Sequence, residues 1–359
     1  MEARVQKLQE VLRQEALDAY YVTNLYNIRY LSGFTGTTAT VLITQEDAYF
    51  FTDFRYEEQA HEQCAGFKVI IAGGSAAISD PLAYMADLIQ KLPQHRVGFE
   101  TDDLTVKAFK QVSQKVACEW IEKPGLVQKL REVKDQEEIK TIKTACDIAV
   151  EAFSYIVDFI EPGQTEIEIA NALDFKMREM GASGVSFTTI IASGLRSAMP
   201  HGVASEKVVE KGDLITLDYG CYYHGYASDM TRTVAIGEPK AELRKIYDIV
   251  YEANRRVNEA ARPGLTGKEL DAVARDYIKE CGYGEQFGHS TGHSVGLEVH
   301  EAPMVSFRSE EVFVPGNVIT NEPGIYVEGL GGVRIEDDIL ITEEGGEILT
   351  PSPRELLII

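Results

Sequence analysis

Two stretches of this chain repeat about one hundred residues apart. EPGQTEIEIANALDFKMREMGA, from Glu161, returns as RPGLTGKELDAVARDYIKECGY, from Arg262, with Pro162, Gly163, Thr165, Glu168 and Gly181 all reappearing 101 residues later. Each copy reads as a turn, an N-capping threonine, an amphipathic helix and a glycine past its end. Further on, KGDLITLDYG from Lys211 corresponds to PGNVITNEPG from Pro315, 104 residues later, which aligns Asp218 with Glu322. Acids recur once more downstream, Asp229 in SDMTRT and Glu336 in RIEDDI. A period this long is no solenoid. It predicts two related halves packed about a pseudo-two-fold axis, with one cavity between two sheets receiving two carboxylates from each half.

At 359 residues the chain has room for a second domain ahead of the repeat. The first third alternates helical and strand patterns. A helix over residues 2–15 precedes strand AYYV; YNIRYLSGFTG reads as a turn; strands TATVLIT, AYFFTD, KVII, RVGFE and ACEWI then alternate with helices from Arg55, Asp80 and Val106. That is an α/β layer domain, expected over residues 1–125. EKPG then leads into a long charged helix that opens a second domain, 126–359, so the fold class is α/β (α+β).

A formal charge of −22 repels nucleic acid phosphates and anionic lipid, which excludes both as partners. The five cysteines are dispersed and show no C-x-x-C spacing, as expected of reduced thiols. The N-terminal segment places Val5, Leu8, Val11 and Leu12 at helical spacing among charges, which suits an amphipathic helix rather than a signal peptide. No apolar run approaches the length of about 18 residues that a membrane span needs. The expected location is the cytoplasm.

The acids stand where apolar strands end. In DLITLDYG the apolar residues run up to Asp218, in NVITNEPG the strand pattern runs up to Glu322, and an isolated acid at such a strand end would suffer desolvation of several kcal/mol without a cation. Two divalent ions would neutralise the four carboxylates. GHSTGHSVGLEVHE adds three histidines in twelve residues. Glycine at every fourth position argues against a helix and for extended strands with a turn near Gly296. On a strand, His289 and His293 would share a face, and the turn would return His300 to the same cavity. Spacing alone leaves open whether these are ligands or hydrogen-bonded strand histidines. One imidazole in an oxygen-dominated donor set suits manganese, cobalt or iron better than a Cys-rich structural zinc site does. Two such ions sharing a water would supply the nucleophile of a hydrolase.

LDYG, SDMTRT, GHSVGLEVHE, NEPGIY and GVRIED together resemble the five metal-binding motifs of the pita-bread metallopeptidases, among them methionine aminopeptidase, aminopeptidase P and prolidase. With a creatinase-like N-terminal domain, the resemblance covers essentially the whole chain. It implies a dinuclear centre held by Asp218, Asp229, His293, Glu322 and Glu336, with Asp229 and Glu336 bridging both ions. Manganese is the expected metal, ahead of cobalt, iron or zinc. His300 matches the histidine that hydrogen-bonds the substrate carbonyl, and His201 in MPHG the one that steadies the tetrahedral intermediate. His289 and Arg334 match substrate-side residues of the proline-specific branch, and Glu322 is the candidate to relay a proton to the proline nitrogen.

Methionine aminopeptidases usually lack the first domain, and creatinase does not use the metal ligands, all five of which are intact here. The resemblance therefore implies a proline-directed peptidase acting on a small peptide with proline second, and a homodimer. GVASEKVVEKGDLITLDYG is similar to small microbial prolidases, which cut Xaa-Pro dipeptides. FTDFRYEEQA, with Asp53, Arg55 and Tyr56, is instead similar to aminopeptidase P enzymes, which take longer peptides. The dipeptidase is the expected activity, with the aminopeptidase as its alternative. A non-catalytic peptide-binding relative of the same fold would be expected to have lost ligands.

Overall fold

The computed structural model describes residues 1–74 and 78–359, and the chain divides into two compact units, Met1–Arg131 and Glu132–Ile359. In the first unit, helix α1 (Glu2–Gln14) buries Leu8 and Leu12, which supplies the apolar face its spacing predicts. Strand β1 (Ala19–Val22), helix α2 (Leu25–Ser32), strands β2 (Thr40–Thr44) and β3 (Ala48–Asp53), helix α3 (Glu57–Gln63) and strand β4 (Lys68–Ala72) follow. The unit ends with α4 (Pro81–Ile89), β5 (Arg96–Phe99), α5 (Val106–Lys115), β6 (Glu119–Glu122) and α6 (Leu126–Arg131). The six strands form one sheet in the order β4-β3-β2-β1-β5-β6. Alternate residues such as Ala19, Tyr21, Leu42 and Phe51 face Met85 and Ile89 of α4 and Val112 of α5, as the two-residue period of a strand requires.

One expectation fails here. YNIRYLSGFTG is not a turn: its first seven residues lie in α2. Asn24 caps that helix by accepting from the Asn27 N–H, and Gly33 closes it in the left-handed conformation at φ 81°. The aromatic and glycine content masked a short helix whose signals lay at its two ends. Helix α6 stays with the first unit, where Arg131 Nη1 donates to Asn27 Oδ1 at 2.7 Å.

The second unit bears out the repeat. Helix α7 (Gln136–Phe159) opens with a capping box on Asp135 and Glu138, and α8 (Glu166–Glu179) with one on Thr165 and Glu168. Strands β7 (Gly184–Val185), β8 (Ile190–Ser193), β9 (Leu214–Tyr219), β10 (Cys221–Tyr223), β11 (Tyr226–Ala227) and β12 (Met230–Ala235) complete the first half. Helices α9 (Ala241–Ala260) and α10 (Gly267–Glu280) begin the second, and α10 carries the same box on Thr266 and Glu269. Strands β13 (Gly292–Ser294), β14 (Glu301–Val305), β15 (Val318–Asn321), β16 (Gly324–Val327), β17 (Gly331–Arg334), β18 (Asp337–Ile341) and β19 (Gly346–Ile348) follow. The equivalence extends to isolated bridges, Thr165 to Val208 in one half and Thr266 to Val312 in the other.

Each half forms its own sheet, β12-β9-β8 and β14-β13-β15-β18-β19. Each has a separate apolar core, with Ile156, Leu173, Ile215 and Val234 in the first and Ile246, Leu270, Ile319 and Ile339 in the second. Both hairpins are antiparallel: β9 pairs with β12, setting Asp218 opposite Thr231, and β15 pairs with β18, setting Asn321 opposite Asp337. The fold is mixed α/β with a duplicated second unit, as the sequence implied. Among the described residues no helix is long and apolar enough to cross a membrane, and all five cysteines are free.

Candidate metal centre

The two matched hairpins place the acids. Asp218 is the penultimate residue of β9 and Asp229 directly precedes β12; Glu322 directly follows β15 and Glu336 directly precedes β18. Antiparallel pairing within each hairpin brings both of its acids to one end, and one cavity receives both ends. A single cavity of about 610 Å³ is lined by all nine candidate residues: His201, Asp218, Asp229, His289, His293, His300, Glu322, Arg334 and Glu336.

Within it, Asp229, His293 and Glu336 each offer a ligand atom, and the three atoms lie within 4.8 Å of one another. His293 Nε2 lies 3.7 Å from Asp229 Oδ2 and 3.4 Å from Glu322 Oε1. The His293 Nδ1 is 3.1 Å from the Ser294 carbonyl, which can only accept. Nδ1 therefore carries the proton, and Nε2 turns a lone pair toward the acids. Burial, reinforced by His300, pushes the His293 pKa down to about 4, so the imidazole is neutral as a metal ligand must be. Its strand is seated by close backbone approach: a Cβ on Gly292 would collide with the Thr320 carbonyl oxygen.

The carboxylates are out of balance with their surroundings. Burial raises Asp229 and Glu336 far above the ordinary range, and neighbouring acids add to it. Burial likewise raises Glu322 to about 8, with Arg334 opposing and Asp218 reinforcing the shift. Among the described residues lining the cavity, Arg334 is the one permanent cation set against four carboxylates. Divalent cations correct that imbalance, and the donor set of carboxylate oxygens with one imidazole fits them. Thr231 Oγ1 donates to Glu336 Oε2 at 2.6 Å, and Thr320 Oγ1 to Glu322 Oε1 at 3.3 Å, so each acid is also oriented from behind.

A second chain of hydrogen bonds has a fixed direction. Arg334 Nη2 donates to Asp218 Oδ2 at 2.5 Å and Nη1 to the Tyr326 hydroxyl at 2.7 Å; that hydroxyl donates to His289 Nε2 at 2.9 Å. His289 Nδ1 lies 2.8 Å from the Ser290 carbonyl and so bears the ring proton. Tyr326, on β16, was not among the candidates, although it belongs to the motif NEPGIY, four residues past Glu322. The cavity's apolar wall of Phe187, Ile190, Pro200, Val203 and Met304 was also missed, because these residues carry no chemistry that spacing would mark.

The histidine stretch needs one correction. His289 is in a loop rather than on a strand, so the shared-face expectation does not apply to it. Arg275, itself paired with the buried Asp271, donates to the His289 carbonyl at 2.8 Å and to the Phe287 carbonyl at 3.1 Å, and this holds the loop. The turn around Gly296 does return His300, whose ring centroid lies 4.4 Å from that of His293. His201 and His300 are both exposed at the cavity mouth.

Residues 140–343 match the model of metallopeptidase family M24, and residues 4–133 that of the creatinase/prolidase N-terminal domain. The chain is 39% identical over 369 residues to the Xaa-Pro dipeptidase of Pyrococcus furiosus, covering 99% of this chain and 100% of that one. It superposes on a solved Xaa-Pro dipeptidase from Bacillus anthracis with a TM-score of 0.96 at 49% identity, covering 100% and 99% of the two chains. A solved X-Pro aminopeptidase from Thermotoga maritima gives 0.89 at 42% identity, covering 98% and 99%. A cavity with surplus buried acid, a neutral imidazole at its centre and matches over the full length leave one assignment: the chain belongs to metallopeptidase family M24, enzymes that work through divalent metal ions, and carries that family's creatinase/prolidase N-terminal domain.

Proposed function

We propose that this protein hydrolyses Xaa-Pro dipeptides, and that Asp218, Asp229, His293, Glu322 and Glu336 would hold the two divalent ions this chemistry uses. The observation that carries this reading is the convergence of Asp229, His293 and Glu336 within 4.8 Å, in a cavity also lined by Asp218 and Glu322. Manganese is the first choice, ahead of cobalt, iron or zinc, because oxygen dominates the donor set. When bound, the ions supply an acidified water and a Lewis acid.

The chain's own residues do the rest. His300 donates to the scissile carbonyl, and His201, across the mouth, steadies the oxyanion. An Xaa-Pro bond is a tertiary amide, so its nitrogen must gain a proton to leave, and Glu322 relays it. His289 and Arg334, joined through Tyr326, present a fixed polar edge to the substrate. The wall of Phe187, Ile190 and Val203 is apolar and suits a proline ring.

A second reading, action on longer peptides, is favoured by the aminopeptidase neighbour and by FTDFRYEEQA, where Arg55 forks onto Asp53 at 2.8 and 2.7 Å. Hydrolysis of Ala-Pro and Ala-Pro-Ala under added manganese separates the two. Preference for the dipeptide supports the first reading, preference for the tripeptide the second, and cleavage of neither sinks both. We also infer a cytoplasmic homodimer, in keeping with the five free thiols and the family resemblance. Light scattering that finds only monomer in an active preparation removes the dimer.

A further inference from the structure

Asn254 lies on α9, fully buried behind β15 and β17. Its Nδ2 donates to two carbonyl oxygens, Asn321 at 3.1 Å and Ile335 at 3.2 Å. These are the residues immediately before Glu322 and Glu336. The same two peptide groups are pinned at their other ends: the Glu322 N–H donates to the Thr291 carbonyl at 2.8 Å, and the Glu336 N–H to the Thr231 carbonyl at 3.0 Å. A planar peptide held on both sides fixes the position of the Cα that follows it.

We propose that Asn254 is a positioning residue, a clasp whose one amide sets the distance between Glu322 and Glu336 and so the spacing of the cations they hold. The inference rests on the metal reading above.

The orientation of the amide is forced. Two carbonyls can only accept, so the nitrogen must face them. Asn254 Oδ1 accepts from Asn258 Nδ2 at 3.0 Å, and Asn258 Nδ2 also reaches Asp337 Oδ2 at 3.0 Å. Asn321 Nδ2 returns to the Asn254 carbonyl at 2.9 Å and to Asn258 Oδ1 at 2.8 Å. The clasp is thus part of a closed amide network joining α9 to the strand ends that bear both acids. No apolar residue of similar size replaces it, since that leaves two buried carbonyls without a donor. Aspartate, though similar in shape, sets a carboxylate against them.

The test is manganese affinity of the metal-free full chain, read by competition with a fluorescent chelator, for wild type, Asn254→Ala, Asn254→Ser and Leu270→Ala. Residues that orient ligands from behind change metal affinity by about 10–100-fold when removed, and that weakening is expected for Asn254→Ala. Asn254→Ser, which retains one donor, falls between and serves alone if the alanine form does not fold. Leu270→Ala trims a fully buried core side chain of α10, and is expected to lower the melting temperature without moving the affinity. Wild-type affinity in a folded Asn254 variant overturns the clasp. Wild-type protein that binds no manganese overturns the metal reading and the clasp with it, and does so before any variant is compared.

Discussion

Arg334 Nη2 donates to Asp218 Oδ2 at 2.5 Å, with only 4% of the arginine side chain and 12% of the aspartate side chain exposed. The guanidinium also spends Nε on Thr231 Oγ1 at 3.2 Å and Nη1 on Tyr326. One cation therefore ties a first-half acid to the second-half strand β17. Removing one partner of a buried pair costs about 3–5 kcal/mol, because the other charge stays buried. Metal-free Arg334→Ala is expected to melt well below wild type, with manganese restoring part of the loss by giving Asp218 another cation. Arg334→Lys keeps the charge and loses the fork, so its melting temperature falls less, while hydrolysis of Ala-Pro drops at least about tenfold. Calorimetry with and without manganese reads both, and unchanged melting in Arg334→Ala contradicts the account.

Tyr326→Phe deletes a single hydroxyl and cuts the link between Arg334 and His289. The His289 Nε2 lone pair and one guanidinium N–H then lose their partner, at a cost of roughly 1–3 kcal/mol. Since the metal ligands are untouched, the metal content stays at the wild-type level. The efficiency kcat/KM on Ala-Pro is expected to fall about tenfold. Metal analysis alongside steady-state kinetics checks this, and a variant that loses metal as well would place Tyr326 in a different role.

The repeat was legible because caps and acids are local signals. Thr165 and Thr266 announce their helices within four residues, and Asp218 and Glu322 break apolar strands visibly. Helix α2 was not legible, because Asn24 and Gly33 flank an aromatic stretch whose pattern resembles a turn. His289 was misplaced on a strand because the Asp271–Arg275 pair that holds its loop lies on α10. The clasp could not be read at all: Asn254 is 67 residues from Asn321 and 81 from Ile335, and a lone asparagine in a helix has many meanings. Long-range polar contacts leave no period in a sequence.

The two threonine capping boxes, one in each half, give an internal control on the duplication. Thr165 Oγ1 accepts from the Glu168 N–H at 3.2 Å, and Thr266 Oγ1 from the Glu269 N–H at 3.1 Å. Thr165→Ala and Thr266→Ala are each expected to cost about 1 kcal/mol. They act in different cores with no shared partner, so the double variant is expected to cost about the sum. Urea unfolding of the metal-free protein measures all three, and a double variant no worse than either single one would mean the halves do not respond independently.

The cavity's titration gives the sharpest test of whether it is built for cations. In the metal-free protein Glu322 titrates near 8 when folded, against an ordinary 4.5, so between those values the folded chain holds a proton that the unfolded chain has released. Stability from this group is therefore lost as pH rises through that window. His289 and His293 act the other way: depressed to about 4 from 6.5, they cost stability as pH falls below 6.5. The two effects oppose each other from pH 4.5 upward, and the imidazole contribution fades over about one pH unit above 6.5, leaving the acids to set the slope beyond it. From pH 6.5 to 8 the metal-free protein is expected to lose roughly 1 kcal/mol from Glu322 net of the two histidines, with Asp229 and Glu336 shifted in the same direction as Glu322. For a unit of this size that is a fall of a few degrees in melting temperature. Saturating manganese reverses the slope, because cations bind the deprotonated acids and bind them better as pH rises. Scanning calorimetry across pH 6.5 to 8, with chelator and then with manganese, reads both slopes. A metal-free melting temperature that holds level or climbs over that range would mean the four acids are not crowded without a cation, and the metal reading would lose its electrostatic basis.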